Sequence, residues 1–164
     1  MRWKVAILTA SDKGSRGERE DISAQVIREL IEEEMDGHIV QYKIVPDEQQ
    51  MIKKTLIEMV DQYEADLILT TGGTGFAHRD VTPEATLEVV EKQVPGFAEV
   101  MRSASMLKTR RAMLSRAVSG IRGKTLIINL PGSPKGVHEN LQAIIDQLPH
   151  ALSILTGVEG EHKS

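Results

Sequence analysis

Leu67-Ile68-Leu69-Thr70-Thr71-Gly72-Gly73-Thr74-Gly75 is an apolar, β-forming run that stops abruptly at a glycine-rich turn. Arg79-Asp80-Val81-Thr82-Pro83-Glu84-Ala85-Thr86 follows within a few residues. Pro83 suits the first position of a helix, with Thr82 as its cap. A strand that empties through such a turn into a helix is the layout of an anion-binding loop at the carboxyl edge of an α/β sheet. Asp80, a carboxylate just past the turn, points to a metal or a magnesium-bound phosphate rather than a bare anion.

The rest of the chain repeats the alternation. Trp3 to Thr9 reads as a strand, and Ser11 to Glu20 as a polar loop. Ile22, Val26, Ile27, Leu30, Ile31 and Met35 recur at helical spacing, with Asp21 or Ser23 as the cap. His38 to Val45 is a second strand. Ile52, Leu56, Met59, Val60 and Tyr63 mark a second helix, and a Met-rich helical stretch runs from about Gly96 to Leu107. Lys124 to Leu130 is a buried strand ended by Pro131-Gly132-Ser133-Pro134, and Val137, Leu141, Ile144, Ile145, Leu148, Leu152 and Leu155 close the chain with helical periodicity. These elements predict one α/β domain over residues 1–164, in three layers, with a mostly parallel sheet and helices on both faces. Residues 158–164 read as a flexible tail.

Composition removes several function classes. The 164 residues include no cysteine, which excludes disulfides, thiolate metal sites and cysteine nucleophiles. No apolar run approaches the roughly 20 residues of a membrane span, and the N-terminus lacks a signal-peptide pattern, so a cytoplasmic protein with no membrane partner is expected. The net charge of −4 hides an asymmetry. Residues 1–99 carry 11 basic and 20 acidic side chains; residues 100–138 carry eight basic ones and no carboxylate. With only one Trp, two Tyr and two Phe, and none of them in that basic block, base stacking is unsupported and no nucleic-acid partner is expected. The block either faces solvent or a second subunit, or supplies positive potential to a phosphorylated small molecule.

Four segments should converge beyond the strand ends: Thr9-Ala10-Ser11-Asp12, Pro46-Asp47-Glu48, Gly72 to Asp80, and Asn129 to Pro134. Familiar nucleotide motifs are absent. His78 occupies the third glycine position of a dinucleotide fingerprint, and Val118 the first glycine of a Walker A loop ending at Gly123-Lys124-Thr125. Asp47 and Asp80 follow different strands and could share one Mg²⁺; either alone would read as a helix cap, but the pair beside a glycine loop favours the metal. The histidines at 38, 78, 138, 150 and 162 have no zinc-ligand spacing, and Ser105, Ser115 and Ser133 sit in no elbow motif. Chemistry without a protein nucleophile points to positioning and charge neutralisation, as in phosphoryl and nucleotidyl transfer.

Thr70 to Gly75, Arg79 to Thr86, Pro95-Gly96-Phe97, Met113 to Gly120 and Asn129 to Pro134 together resemble the molybdopterin adenylyltransferase family, from about Lys4 to Gly157. The same family supplies the G domain of plant and animal molybdenum-cofactor proteins. A related "B" branch shares the fold, and some of its members lack the paired aspartates; Asp47 and Asp80 make this chain look like the active branch. The resemblance implies an enzyme of molybdenum cofactor biosynthesis that joins AMP from ATP to the terminal phosphate of molybdopterin with Mg²⁺, releasing pyrophosphate. It implies Asp47 and Asp80 as catalytic metal ligands, and Gly72, Gly73, Thr74, Gly75, Pro131, Gly132 and Ser133 around AMP. Ser11 and Asp12 would line the same cleft. Ser105, Ser115 and Arg116 would sit by the pterin and its phosphate, with Lys135 a further phosphate contact. A homo-oligomer is implied, a trimer over a hexamer. The rival readings are a silent pterin carrier or sensor with the same loops, and a molybdenum-insertion domain, normally part of a longer chain.

Overall fold

The computed structural model describes residues 3–158; the expected tail at 158–164 lies, but for Val158, outside them. The strands are β1 (Trp3–Ala10), β2 (Gly37–Val45), β3 (Leu67–Thr71), β4 (Lys92–Gln93), β5 (Ser119–Arg122) and β6 (Thr125–Leu130). The helices are α1 (Asp12–Ser15), α2 (Ile22–Glu34), α3 (Gln49–Asp61), α4 (Thr82–Val89), α5 (Pro95–Met106), α6 (Pro134–Ile144) and α7 (Leu148–Thr156). Short 3-10 turns cover Arg110–Leu114 and Ile145–Gln147.

The six strands form one sheet in the order β2-β1-β3-β6-β5-β4. β2, β1, β3 and β6 run parallel, and β5 pairs antiparallel with both β6 and β4. Alternation along the central strands divides the core. Val5, Ile7, Leu67, Leu69, Leu126 and Ile128 face α2, α6 and α7. Ala6, Leu8, Ile68 and Ile127 face the other way, onto Ile52, Leu56 and Met59 of α3 and Ala85 and Val89 of α4. Both faces being covered explains why these strands read as unbroken apolar runs. Each fully buried Leu or Ile contributes roughly 1.5–3 kcal/mol relative to exposure.

Topology places the cleft. The chain leaves β1 for α2 on one face and returns from β2 through α3 on the other, so β1 and β3 hand on to opposite faces at neighbouring positions. A crevice opens beyond strand ends at such a switch point.

Local differences from the sequence expectation have local causes. The loop expected at Ser11–Glu20 contains α1, because Ser11 Oγ accepts from Gly14 N at 2.9 Å. Asp21 caps α2, accepting from Ala24 N. Thr82 is the first residue of α4, not its cap; Val81 holds the cap position without a side-chain bond. Likewise Asp47 caps nothing, since α3 starts after Glu48. β4 and β5 escaped the sequence pattern, being two and four residues long. The final helical pattern is cut by the 3-10 turn at Ile145–Gln147, after which Pro149 restarts it as α7.

Candidate active site

The four predicted segments do converge. A cleft of about 590 Å³ is lined by Thr9, Ala10 and Ser11 after β1, Asp47 after β2, Gly72, Gly73 and Asp80 after β3, and Gly132, Ser133 and Pro134 after β6. Its floor is set by backbone contact. Gly72 has φ +93° and its Cα lies where a Cβ would come within 2.4 Å of the Ala10 carbonyl oxygen; Gly73, at φ +71°, would collide with Thr82 Oγ1. Both conformations are strained for any residue carrying a Cβ. Thr71 Oγ1 donates to the Pro131 carbonyl at 2.6 Å, and Ser23 Oγ to that of Gly132 at 2.7 Å, tying the β6 turn to β3 and α2. Buried Asn129 donates to Thr70 Oγ1 and Thr86 Oγ1 and accepts from Val118 N. Ser133 Oγ caps α6 by accepting from Gly136 N, so the positive end of an eleven-residue helix opens at the cleft.

The carboxylates form a linked set. Asp12 N donates to Asp47 Oδ2 and Asp47 N donates to Asp12 Oδ1, each at 3.0 Å. Arg79 grips the Asp12 carboxylate with two nitrogens, at 2.7 and 3.0 Å. The Arg79 bond, with the Asp47 N–H second, pulls the Asp12 pKa down to about 2. Burial foremost, then the charges of Asp12 and Asp80, push the Asp47 carboxyl above its ordinary value. Asp80 accepts from Ala77 N through Oδ2, the oxygen that stands 2.9 Å from a Cβ position on Gly75. Oδ1 of Asp47 stands 3.4 Å from the corresponding position on Gly73. Both carboxylates thus edge the glycine loop.

A second cavity, of about 270 Å³, lies across that loop and contains Thr74, Gly75, Ser105, Ser115 and Pro131. The loop is the partition: Gly72 and Gly73 face one space, Thr74 and Gly75 the other. Arg116 lines neither. Its backbone N donates to the Thr74 carbonyl, and its guanidinium donates to the carbonyls of Gly75 and Asp80 and to the Glu84 carboxylate at 2.6 Å. It clasps the loop to α4 and has little left for a substrate phosphate. Asp12 and Lys135 also lie off both linings; Asp12 acts on the cleft through Asp47. The basic block is dispersed accordingly. Arg102 and Arg111 line the second cavity, while Arg122 donates to the Val89 carbonyl.

Sequence reasoning did not place Arg19, Glu20 or Asp21 (read only as a helix cap) in the cleft that they complete, nor did it pair Arg79 with Asp12. The polar loop before α2 held them, with no periodicity to mark their direction. Among the described residues no group of three or more His, Asp or Glu is arranged to hold a metal ion by itself. The first cleft nevertheless carries Glu20, Asp21, Asp47 and Asp80 against Arg19 alone. Such a lining repels a polyphosphate unless a hard cation joins them, and two carboxylates that need phosphate oxygens to complete coordination suit Mg²⁺.

Known proteins give the family. A family model described as a probable molybdopterin binding domain matches residues 6–150. A protein named molybdopterin adenylyltransferase from Helicobacter pylori strain J99 is 46% identical over 154 residues, spanning 93% of this chain and 88% of its own. One so named from Escherichia coli K12 is 41% identical over 87% of this chain and 74% of its own. The crystal structure of the molybdopterin biosynthesis enzyme MoaB from Thermus thermophilus superposes with a TM-score of 0.89 at 54% identity, covering 94% of this chain and 97% of that one. Matched by that family model over most of its length and 41–46% identical to these relatives, this chain belongs to the molybdopterin adenylyltransferase family.

Proposed function

We propose that this protein transfers AMP from ATP to the terminal phosphate of molybdopterin, releasing pyrophosphate. The observation that carries the reading is the shared partition: two cavities back to back on one glycine loop, with Asp47 and Asp80 along its edge. ATP occupies the larger cleft, its phosphates against the N–H groups of the loop and the positive end of α6. The pterin half of molybdopterin takes the second cavity, and its phosphate reaches the border near Ser115. There a phosphate oxygen attacks the ATP α-phosphorus, forming the new phosphoanhydride bond as the bond to the β-phosphate breaks. Pyrophosphate takes the displaced electron pair.

Asp47 and Asp80 would hold Mg²⁺. When bound, the ion neutralises phosphate charge and orients the leaving group. The chain's residues do the remainder: Asp12 fixes the Asp47 backbone and carboxylate, Arg79 holds the Asp12 carboxylate in place, and Arg116 holds the loop at its set height. A rigid site of this kind works by alignment, with no covalent intermediate required. The protein acts in the cytoplasm as a homo-oligomer, a trimer before a hexamer. The apolar side chains of Val100, Leu107, Met113 and Leu114, exposed along α5 and the turn after it, support such assembly.

Pyrophosphate release from ATP, Mg²⁺ and molybdopterin tests the reading, with Asp80→Asn beside the parent. Release that requires Mg²⁺ and falls roughly a hundredfold or more in the variant, with pterin still bound, is expected. Tight pterin binding with no release by the parent would make the protein a carrier or sensor.

A further inference from the structure

The second cavity contains one carboxylate that the roles above leave unused. Glu139, on α6, lines it together with Arg102, Arg111, Ser105 and Ser115. Its side chain is only 14% exposed. Among the described residues no hydrogen-bond donor reaches it, and its ion-pair partner is Lys108 Nζ at a long 3.8 Å, on a side chain 61% exposed. Neighbouring Asn140 is fixed by contrast, its Nδ2 donating to Ser105 Oγ at 3.1 Å and to the Gly136 carbonyl at 2.7 Å. The Glu139 carboxylate thus lines the cavity with no donor among the described residues to hold it, and its oxygens can accept from a ligand there.

Charge decides which end of a ligand supplies the donors. Glu139 would repel a phosphate, so it does not serve the anionic end of the ligand. The 2-amino-4-oxopyrimidine edge of a pterin offers two N–H groups side by side, on the exocyclic amine and on N3. Two carboxylate oxygens match that pair as they match the fork of a guanidinium. Resting on the reading that this cavity takes the pterin half of the substrate, we propose that Glu139 recognises that edge and makes the site selective for the 2-amino pteridine. Arg111, which lines the same cavity, then serves the oxygen-rich parts of the ligand, while Arg102 is engaged by the Ser115 and Ala117 carbonyls, so one cavity sorts the two ends of its substrate by sign.

The test uses the full chain and two fluorescent probes: 2-amino-4-oxopteridine, and 2,4-dioxopteridine, which places an acceptor where the first has a donor. The parent should bind the amino compound more tightly by on the order of tenfold or more. Glu139→Gln keeps the size of the side chain and should erase that preference; its KM for molybdopterin should rise with kcat and the KM for ATP unchanged. Lys108→Met removes the ion-pair partner and should leave the preference intact. A parent that does not discriminate, a Glu139→Gln protein that still does, or equal loss in Lys108→Met would each overturn the assignment. If the preference stays in Glu139→Gln while the parent releases pyrophosphate, adenylyl transfer stands and the role of Glu139 falls. If the preference is lost but the parent releases none, the pterin site stands and the transfer falls.

Discussion

Asp12 and Asp47 exchange backbone hydrogen bonds at 3.0 Å yet are driven in opposite directions. Arg79 draws Asp12 down to about 2, below the ordinary 3.8, so ionised Asp12 stabilises the fold above 3.8 and that contribution is lost as pH falls through about 2. Asp47 is raised by burial and by its acidic neighbours; its contribution is present below 3.8 and lost as pH rises through the raised value. Ionised Asp47 therefore costs the fold stability at neutral pH. Asp47→Asn should raise the urea midpoint at pH 7 while abolishing turnover, the gain shrinking below pH 3.8; a lower midpoint at pH 7 would contradict this. Asp12→Asn removes a negative charge beside Asp47, so the acid limb of the kcat/KM profile should move to lower pH. The sequence displayed both aspartates as residues after strands. Their reciprocity was hidden, because a bond between positions 35 residues apart leaves no trace in spacing. Glu139 was hidden for the same reason: it follows a stretch without carboxylates, and only the placement of α6 turns it into a cavity.

Among the elements, the glycine loop and its clasp carry the most consequence. Gly72→Ala would place a Cβ against the Ala10 carbonyl at positive φ, costing about 1–3 kcal/mol from backbone strain alone, with the clash in addition. A lowered urea midpoint and impaired binding in both cavities should result. Arg116→Ala leaves the Gly75 and Asp80 carbonyls without their donor and should cost about 1–3 kcal/mol. Glu84→Gln removes only a partly exposed ion pair and should cost under about 1 kcal/mol. Equal losses in these two would mean the guanidinium works through Glu84 alone. β3, the loop and α4 were plain in the sequence because a doubly buried strand, a glycine cluster and an N-terminal proline are each strong local signals. β4 and β5 were not, since Lys92–Gln93 and Ser119–Arg122 are too short for alternation and exist only through pairing with each other and β6. The clasp had no signature in the sequence: an arginine in a basic block looks like an anion ligand until its carbonyl partners are seen.

At the scale of the whole molecule, the sheet order fixes the crevice and the helices supply its walls. The proposed assembly predicts a sedimentation mass near three times 18.1 kDa. Leu107→Glu, at a side chain 89% exposed, should shift that mass toward the single chain without lowering its folded content; an unchanged mass would place the contact elsewhere. The fold class was legible in full because alternating strand and helix signals prescribe it, whereas assembly depends on which apolar residues remain outside, a quantity that periodicity does not report. The partition between the cavities has a further consequence for inhibitor chemistry. Because Gly72 to Gly75 line both spaces, a short tether could join an adenosine fragment to a pteridine fragment across the crest of the loop. Each anchor would raise the effective concentration of the other, so two weak fragments would give a tight, doubly selective compound without either pocket having to change.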